Sequence, residues 1–359
     1  MAALSPTAAL FKPVPEVLKD EGVPSRYIKH NDEDTQEDGD AHVLLPMMDC
    51  PIIDLALLLS SPQELAKFHS ALNSWDCVQV VNHGMTRSFL DEVRGVIKQF
   101  FALPTNEKER YFCKEETRSS DAPLEGYGND DAYRQKTINW SDNMHLLLFP
   151  LPKCNFELWP KKPSNFRTIL ESYSTKSKIL LDTLLRAMAR SLKLDENNFF
   201  ELWGNNKEDT ILGRFNFYPR CPISNRVVGL KPHGDGSAIT IVLQDNEIEG
   251  LQVFKDSKWF RVPIISEAIL LFVGDQMEIT SNGIFKSPIK LLSAHIMIGV
   301  SLAMFCIPNP EKEIGPLKEP INEDRPQSYK RLKDYGKIFF QYYPENDADR
   351  LIHTVKINY

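Results

Sequence analysis

His233-Gly234-Asp235 places an imidazole and a carboxylate two residues apart, in the segment KPHGDGSAITIVLQ at the head of an alternating strand. Such a pair looks like the first two ligands of a 2-His-1-carboxylate iron site. Two imidazoles and one carboxylate on one face of Fe(II) leave three positions open. Open positions of that kind suit oxygen chemistry on the iron. H-x-D supplies two of the three protein ligands, so the chemistry turns on the third. His83, in the turn Asn82-His83-Gly84, reads as structural. His30, His42, His69, His145 and His353 have no ligand-like spacing.

The elements that must position these residues fall into two periods. Residues 1–48 read as an arm with a short helix at Val14–Lys19. Pro51-Ile52-Ile53-Asp54-Leu55 reads as a brief strand. Ser61-Pro62-Gln63-Glu64 opens a helix, with Ser61 as N-cap, Pro62 at the first helical position and Glu64 at the capping-box position. Leu65, Phe68, Leu72 and Trp75 recur at helical spacing. A strand follows at Val78–Val81, then a helix carrying Phe89, Val93, Ile97 and Phe100 on one face. Residues 114–164 read as irregular, including the apolar run Met144–Phe149, and a loop of that length is usually functional or mobile. A long helix carries Phe166, Ile169, Tyr173, Leu180, Leu184, Met188 and Leu192 as a core-facing stripe.

From residue 211 the period becomes strand-like. Short apolar strands are expected at Phe215–Tyr218, Ala238–Leu243, Leu251–Phe254, Trp259–Val262, Ala268–Val273, Glu278–Thr280 and Val300–Cys306. That succession predicts a closed sandwich or jelly roll. A final helix is expected over roughly Ser328–Tyr342, and no internal repeat is evident.

Bulk properties narrow the function. A net charge of −7 argues against nucleic acid as a partner. An acidic cluster, Asp32 to Asp40, reads as a solvated loop. No run of eighteen or more apolar residues exists, so no membrane span is expected. No basic-then-apolar leader is visible at the N-terminus. Six scattered cysteines without a C-x-x-C suit reduced thiols in a cytoplasmic protein.

Nearly the whole length resembles the plant 2-oxoglutarate- and Fe(II)-dependent dioxygenases, the iron/ascorbate-dependent oxidoreductases. The N-terminal part carries PIIDL at 51–55 and WDCVQVVNHG at 75–84. The C-terminal part carries NFYPRCP at 216–222, HGDGS at 233–237, GLQV at 250–253, GDQ at 274–276, SNG at 281–283 and SLAMF at 301–305. The resemblance implies a mainly β fold with flanking helices: a double-stranded β-helix (jelly-roll) core plus an N-terminal helical and strand region. It divides the chain into an arm (1–48), an N-terminal dioxygenase region (49–160), a spine helix and connector (161–210), the dioxygenase core (211–312) and a C-terminal helix and tail (313–359). It implies His233 and Asp235 as iron ligands. Asn216 and Tyr218 would lie near the 2-oxoglutarate, with Ser301 holding its distal carboxylate and Phe305 shaping a substrate pocket. The implied cofactors are Fe(II) and 2-oxoglutarate, with ascorbate as an accessory reductant. The implied reaction couples oxidative decarboxylation of 2-oxoglutarate to hydroxylation or O-demethylation of a flavonoid- or alkaloid-like metabolite. A small-molecule partner and a monomer are expected.

The same resemblance exposes two departures. The family pattern places its second histidine a few residues after Ser281-Asn282-Gly283 and an arginine two before the serine. Here Lys290 and Gly299 stand at those places. The interval is also about one residue short, which changes side-chain parity in a strand pair. His295, five residues past Lys290, lies roughly 16 Å along an extended strand, and its odd offset points to the other face. It reads as a hairpin-tip residue. A protonated lysine has no lone pair to give a metal. Lys290 therefore either replaces the iron's charge beside Asp235 or points to solvent from a rearranged strand. Two functions follow: an oxygenase, or a catalytically silent relative that binds a small molecule or a partner. Because the departure is confined to Ile289–Gly299, a short compensated frame slip in the gene would leave the same signature.

Overall fold

The computed structural model describes residues 12–28, 45–112, 125–128, 137–203, 210–295, 297–308, 312–319, 321, 323–342 and 350–357. The Asp32–Asp40 cluster lies outside them. Helix α1 (Val14–Glu21) buries Val14 and Val17 against Tyr27 and Trp140. Strand β1 (Ile52–Asp54) leads through α2 (Leu55–Leu58) into α3 (Pro62–Trp75). Ser61 caps α3 as expected, its hydroxyl accepting from the Glu64 amide at 3.2 Å. Glu64 does not close the capping box; its carboxylate accepts from the Asp54 amide at 2.8 Å and ties the helix to β1. Strand β2 (Cys77–Val81) and α4 (Arg87–Phe101) follow, the latter capped by Thr86. A short α5 (Thr105–Lys108) ends this region.

Strand β3 (Gly126–Tyr127) pairs with β4 (Asp142–Phe149). That second strand corrects the irregular assignment of Met144–Phe149. Met144, Leu146 and Leu148 are fully buried on one face, against the 26-residue helix α6 (Phe166–Ser191). Asn143 and His145 alternate with Met144 and Leu146, but Leu147, Leu148 and Phe149 follow without a polar residue, so the alternation that marks a strand is too short to read in sequence. Helix α7 (Asn197–Trp203) precedes the core strands β5 (Thr210–Tyr218), β6 (Val228–His233), β7 (Ile239–Leu243), β8 (Leu251–Lys255), β9 (Lys258–Arg261) and β10 (Ile269–Val273).

Glu278–Thr280, expected as a strand, belongs instead to helix α8 (Asp275–Thr280). Extended Gly274 precedes it, with Asp275 and Glu278 in its first turn, where carboxylates meet the positive end of the helix. All six of its residues are buried, so apolar content there carries no period to read. Strands β11 (Ile289–Ser293), β12 (Gly299–Ile307), β13 (Glu313–Ile314) and β14 (Leu332–Lys333) complete the sheets. The C-terminal helix is shorter than expected: α9 spans Tyr335–Tyr342, because Tyr329 is drawn into a bridge with Lys356 and β14 pairs with β13. Helix α10 (Leu351–Thr354) ends the described chain.

The strands form an eight-stranded sheet, β1-β2-β10-β7-β12-β5-β4-β3, and a four-stranded sheet, β6-β11-β8-β9. This is the jelly-roll arrangement of two sheets, without closure into a continuous barrel. Helices α3, α4 and α6 cover the outer face of the larger sheet with Phe68, Leu72, Val93, Ile97, Leu181 and Leu184, all at most 1% exposed. Each such side chain contributes roughly 1.5–3 kcal/mol by leaving water. The inner faces enclose a cavity lined by His233, Asp235 and Lys290 among others.

Asp76 ends α3 in the left-handed conformation, φ 57°. Burial pushes its carboxyl up to about 7, more than Lys255 pulls it down. A folded-state pKa above the unfolded one gives stability that is present at low pH and lost as pH rises through the folded value. Asp76→Asn keeps the left-handed preference and removes the charge. It should raise the melting temperature by several degrees at pH 8 and far less at pH 4.5. Thermal melts at both pH values check this, and an equal shift at both would contradict it.

Candidate functional site

His233 ends β6 and Lys290 begins the inner face of β11, and the two are direct partners in an antiparallel pair. Directly paired residues share a face, so Lys290 points inward. Of the two placements left open by the sequence, the structure has the buried one. Lys290 Nζ lies 2.8 Å from Asp235 Oδ2, with the two side chains 5% and 2% exposed. The ammonium also sits 4.8 Å from the ring centroid of Phe272. The ion pair is close but off-axis, since neither Nζ nor Oδ2 makes a well-aligned hydrogen bond.

The H-G-D turn is held by the other motifs. The Asp275 amide donates to the Asp235 carbonyl at 2.8 Å, and the Gln276 side chain donates to the Gly236 carbonyl at 2.7 Å. A Cβ on Gly274 would come within 2.1 Å of the Ser237 carbonyl oxygen, so only glycine allows this approach. The C-terminal segment packs from outside. Arg350 reaches Asp275 Oδ1 at 2.5 Å and the Ser287 hydroxyl at 2.8 Å, and Tyr335 donates to Asp275 Oδ2 at 2.8 Å. Gly234 lies so close to the Arg350 guanidinium that a Cβ would meet it at 2.2 Å.

Electrostatics follow from this packing. His233 Nδ1 lies 2.7 Å from the Lys231 carbonyl and donates to it, which leaves Nε2 facing Asp235 Oδ1 at 3.7 Å. Burial, then the Lys290 charge, lowers the His233 pKa to about 4, so its ring is neutral at pH 7. Burial works to raise the Asp235 carboxyl, but Lys290 and His233 outweigh it and hold the carboxyl below the ordinary range.

These residues do not fit a three-ligand iron centre. His233 and Asp235 converge, but an ammonium occupies the third corner. Two like unit charges about 4 Å apart repel by roughly 4 kcal/mol at an effective dielectric near 20, and a divalent ion would feel more. His295 does not take the place of the missing ligand. β11 and β6 are bulged after Lys290, which alters the parity, and His295 lines the cavity instead of facing away from it. Even so, no group of three or more His, Cys, Asp or Glu is gathered for a metal among the described residues. His83 is structural, its Nε2 lying 2.9 Å from the Glu267 carbonyl.

Three of the expected co-substrate residues come together. Asn216 Nδ2 donates to Ser301 Oγ at 3.1 Å, and the Tyr218 hydroxyl lies 3.4 Å from the same oxygen. In the β5–β12 pair, Ser301 partners Asn216 and Gly299 partners Tyr218. Gly299 lines the cavity, and a Cβ there would meet only ordinary contacts at 3.7 Å from Ile248. Phe305 also lines it. Arg214 was missed in the sequence. It precedes Asn216 by two on the same strand, and that spacing alone puts it on the cavity face.

Removing one partner of a buried ion pair strands the other. Lys290→Met should cost about 3–5 kcal/mol, while Lys290→Met with Asp235→Leu should recover most of that loss. Urea unfolding measures both. A Lys290→Met chain as stable as the parent would contradict the inward pair.

The family description "2OG-Fe(II) oxygenase superfamily" matches residues 207–290, stopping at Lys290. "Non-haem dioxygenase in morphine synthesis N-terminal" matches residues 50–162. Jasmonate-induced oxygenase 4 of Arabidopsis thaliana is 32% identical over 343 residues, covering 92% of this chain and 94% of that protein. Codeine O-demethylase of Papaver somniferum is 35% identical over 289 residues, 78% of each chain. A crystal structure of JOX2 in complex with 2OG, Fe and JA superposes with a TM-score of 0.82 at 28% identity, covering 97% of this chain and 98% of that one.

Proposed function

This chain belongs to the plant 2-oxoglutarate/Fe(II)-dependent dioxygenase family, and we propose that it is a member in which the Lys290–Asp235 ion pair stands where the iron would sit. It binds a small molecule between its two sheets and does not couple 2-oxoglutarate decarboxylation to oxidation. The observation that carries this reading is the buried ammonium 2.8 Å from Asp235. It meets the carboxylate's need for a counter-charge and denies that carboxylate to a metal. The loss of the arginine at position 299 supports it independently. A charge-assisted pair to a desolvated carboxylate, once truncated, costs on the order of 2–5 kcal/mol.

The retained residues favour a second reading. His233, Asp235, Asn216, Tyr218 and Ser301 keep their places, and the curated relatives include demethylases and flavonol synthases. In that reading the protein is an oxidoreductase of plant specialised metabolites. His233 and Asp235 would hold Fe(II), which supplies the oxidising chemistry when bound. Lys290 would have to leave the site first. In either reading the partner is a small molecule, and we assign a monomer acting in the cytoplasm. Among the described residues no helix is long and apolar enough to cross a membrane.

Succinate release separates the readings. The purified chain, given Fe(II), 2-oxoglutarate and ascorbate, should release no more succinate than its His233→Ala variant. A chain carrying Lys290→His, Gly299→Arg and one residue inserted between those positions should release at least tenfold more. Metal-dependent succinate from the unaltered chain would overturn the silent reading in favour of the oxidoreductase.

A further inference from the structure

Three lysines, Lys108, Lys178 and Lys290, are buried among the described residues. Two of them have settled partners. Lys108 Nζ donates to the Phe101 carbonyl at 3.0 Å, and Lys178 pairs with Asp182 one helical turn away. Lys290 differs. Its Nζ lies 2.8 Å from Asp235 Oδ2, yet neither atom has an aligned hydrogen bond. Buried polar groups are nearly always satisfied, so donor directions left open on a cavity wall call for a partner from within the cavity. Among the described residues, no other lysine lines this cavity. Leu230, Val242, Leu251, Phe272 and Phe305 supply the apolar part of its wall. The ammonium lies 4.8 Å from the Phe272 ring centroid. An amine with an apolar wall on one side and a proton-carrying group on the other is suited to condense with a carbonyl compound.

We propose that Lys290 captures a small, largely apolar aldehyde or ketone as a protonated Schiff base, with Asp235 as proton carrier and counter-ion. The inference rests on the reading that the pocket works without metal, with Lys290 facing inward. Nζ gives one proton to Oδ2, and its freed electron pair bonds to the carbonyl carbon as the C=O π pair moves onto oxygen. A second proton passes from nitrogen to that oxygen. Oδ2 then returns its proton to the new hydroxyl, the C–O bond breaks, and water leaves as the nitrogen electron pair closes the C=N bond. The ammonium and the carbonyl thus become an iminium and water, with no net change in protons and no oxidant consumed. The product keeps one positive charge beside Asp235, so the buried carboxylate is never left unpaired. The cavity measures about 80 Å³. At roughly 10–15 Å³ per water position that is space for about half a dozen waters, which sets the size of the carbonyl compound.

The test is reductive trapping. The full chain in EDTA is incubated with millimolar butanal, 2-pentanone or benzaldehyde and with sodium cyanoborohydride, which reduces an iminium to a stable secondary amine. Peptide mass spectrometry then locates the labelled lysines. With at least one probe, Lys290 should label at least tenfold faster than the exposed Lys161, which is 76% exposed, and unfolding in urea should abolish that preference. Lys290→Arg keeps a charge beside Asp235 but forms no iminium. Its melting temperature should not rise with the probe, as the parent's should. The parent's own labelling pattern decides the case if Lys290→Arg fails to fold. Labelling of Lys290 no faster than Lys161 with every probe would overturn the adduct and leave the metal-free reading standing. Preferential labelling in EDTA that Mn(II) abolishes would keep the adduct and overturn the metal-free reading.

Discussion

A single buried charge pair, Lys290 with Asp235, organises the centre of this molecule. A carboxylate placed between two apolar sheets is costly unless something of opposite charge meets it. In this family that partner is a metal ion. Here it is a side chain of the protein itself, delivered by the antiparallel pairing of Lys290 with His233. The exchange keeps the local charge near balance, so the sheets, the H-G-D turn and the cavity persist. On the proposed reading, what it removes is the open coordination that oxygen chemistry requires.

The surroundings of that pair remain built to a fine tolerance. Gly274 admits the Ser237 carbonyl at a separation that any Cβ would forbid, and a Cβ on Gly234 would displace the Arg350 guanidinium. Asp275 links the two: its amide holds the Asp235 carbonyl from inside, and its carboxylate holds Arg350 and Tyr335 from the C-terminal side. The motifs HGDGS and GDQ, far apart in sequence, are therefore two halves of one turn support. None of those contacts uses the Asp235 carboxylate or the His233 ring. A pocket preorganised this way can hold a small molecule whether or not it can oxidise one.

Much of this was legible in the residues, and the failures have physical causes. The helices with a clean apolar stripe, such as Phe166–Ser191, and the strands with strict alternation fall where their periods place them. Strand β4 was hidden because its polar–apolar alternation ends at Leu146 and the run Leu146–Phe149 is apolar throughout, which carries no period to read. Helix α8 was hidden because it is buried all round. Within the site, His233, Asp235, Asn216, Tyr218 and Ser301 could be found from their motifs. The direction of Lys290 could not. The β11–β6 pair shifts register twice after Lys290, so strand parity counted from the sequence does not hold there. Only tertiary packing fixes that choice, and with it the side of the strand on which His295 falls.

The central claim is that the ammonium of Lys290, not a metal, meets Asp235. Anomalous diffraction at the manganese edge, on crystals grown anaerobically with Mn(II) and 2-oxoglutarate, tests it most directly. The expected map has no anomalous peak between His233 and Asp235, with Lys290 Nζ at hydrogen-bond distance from the carboxylate. A peak held by both residues, with Lys290 displaced from the cavity, would contradict it.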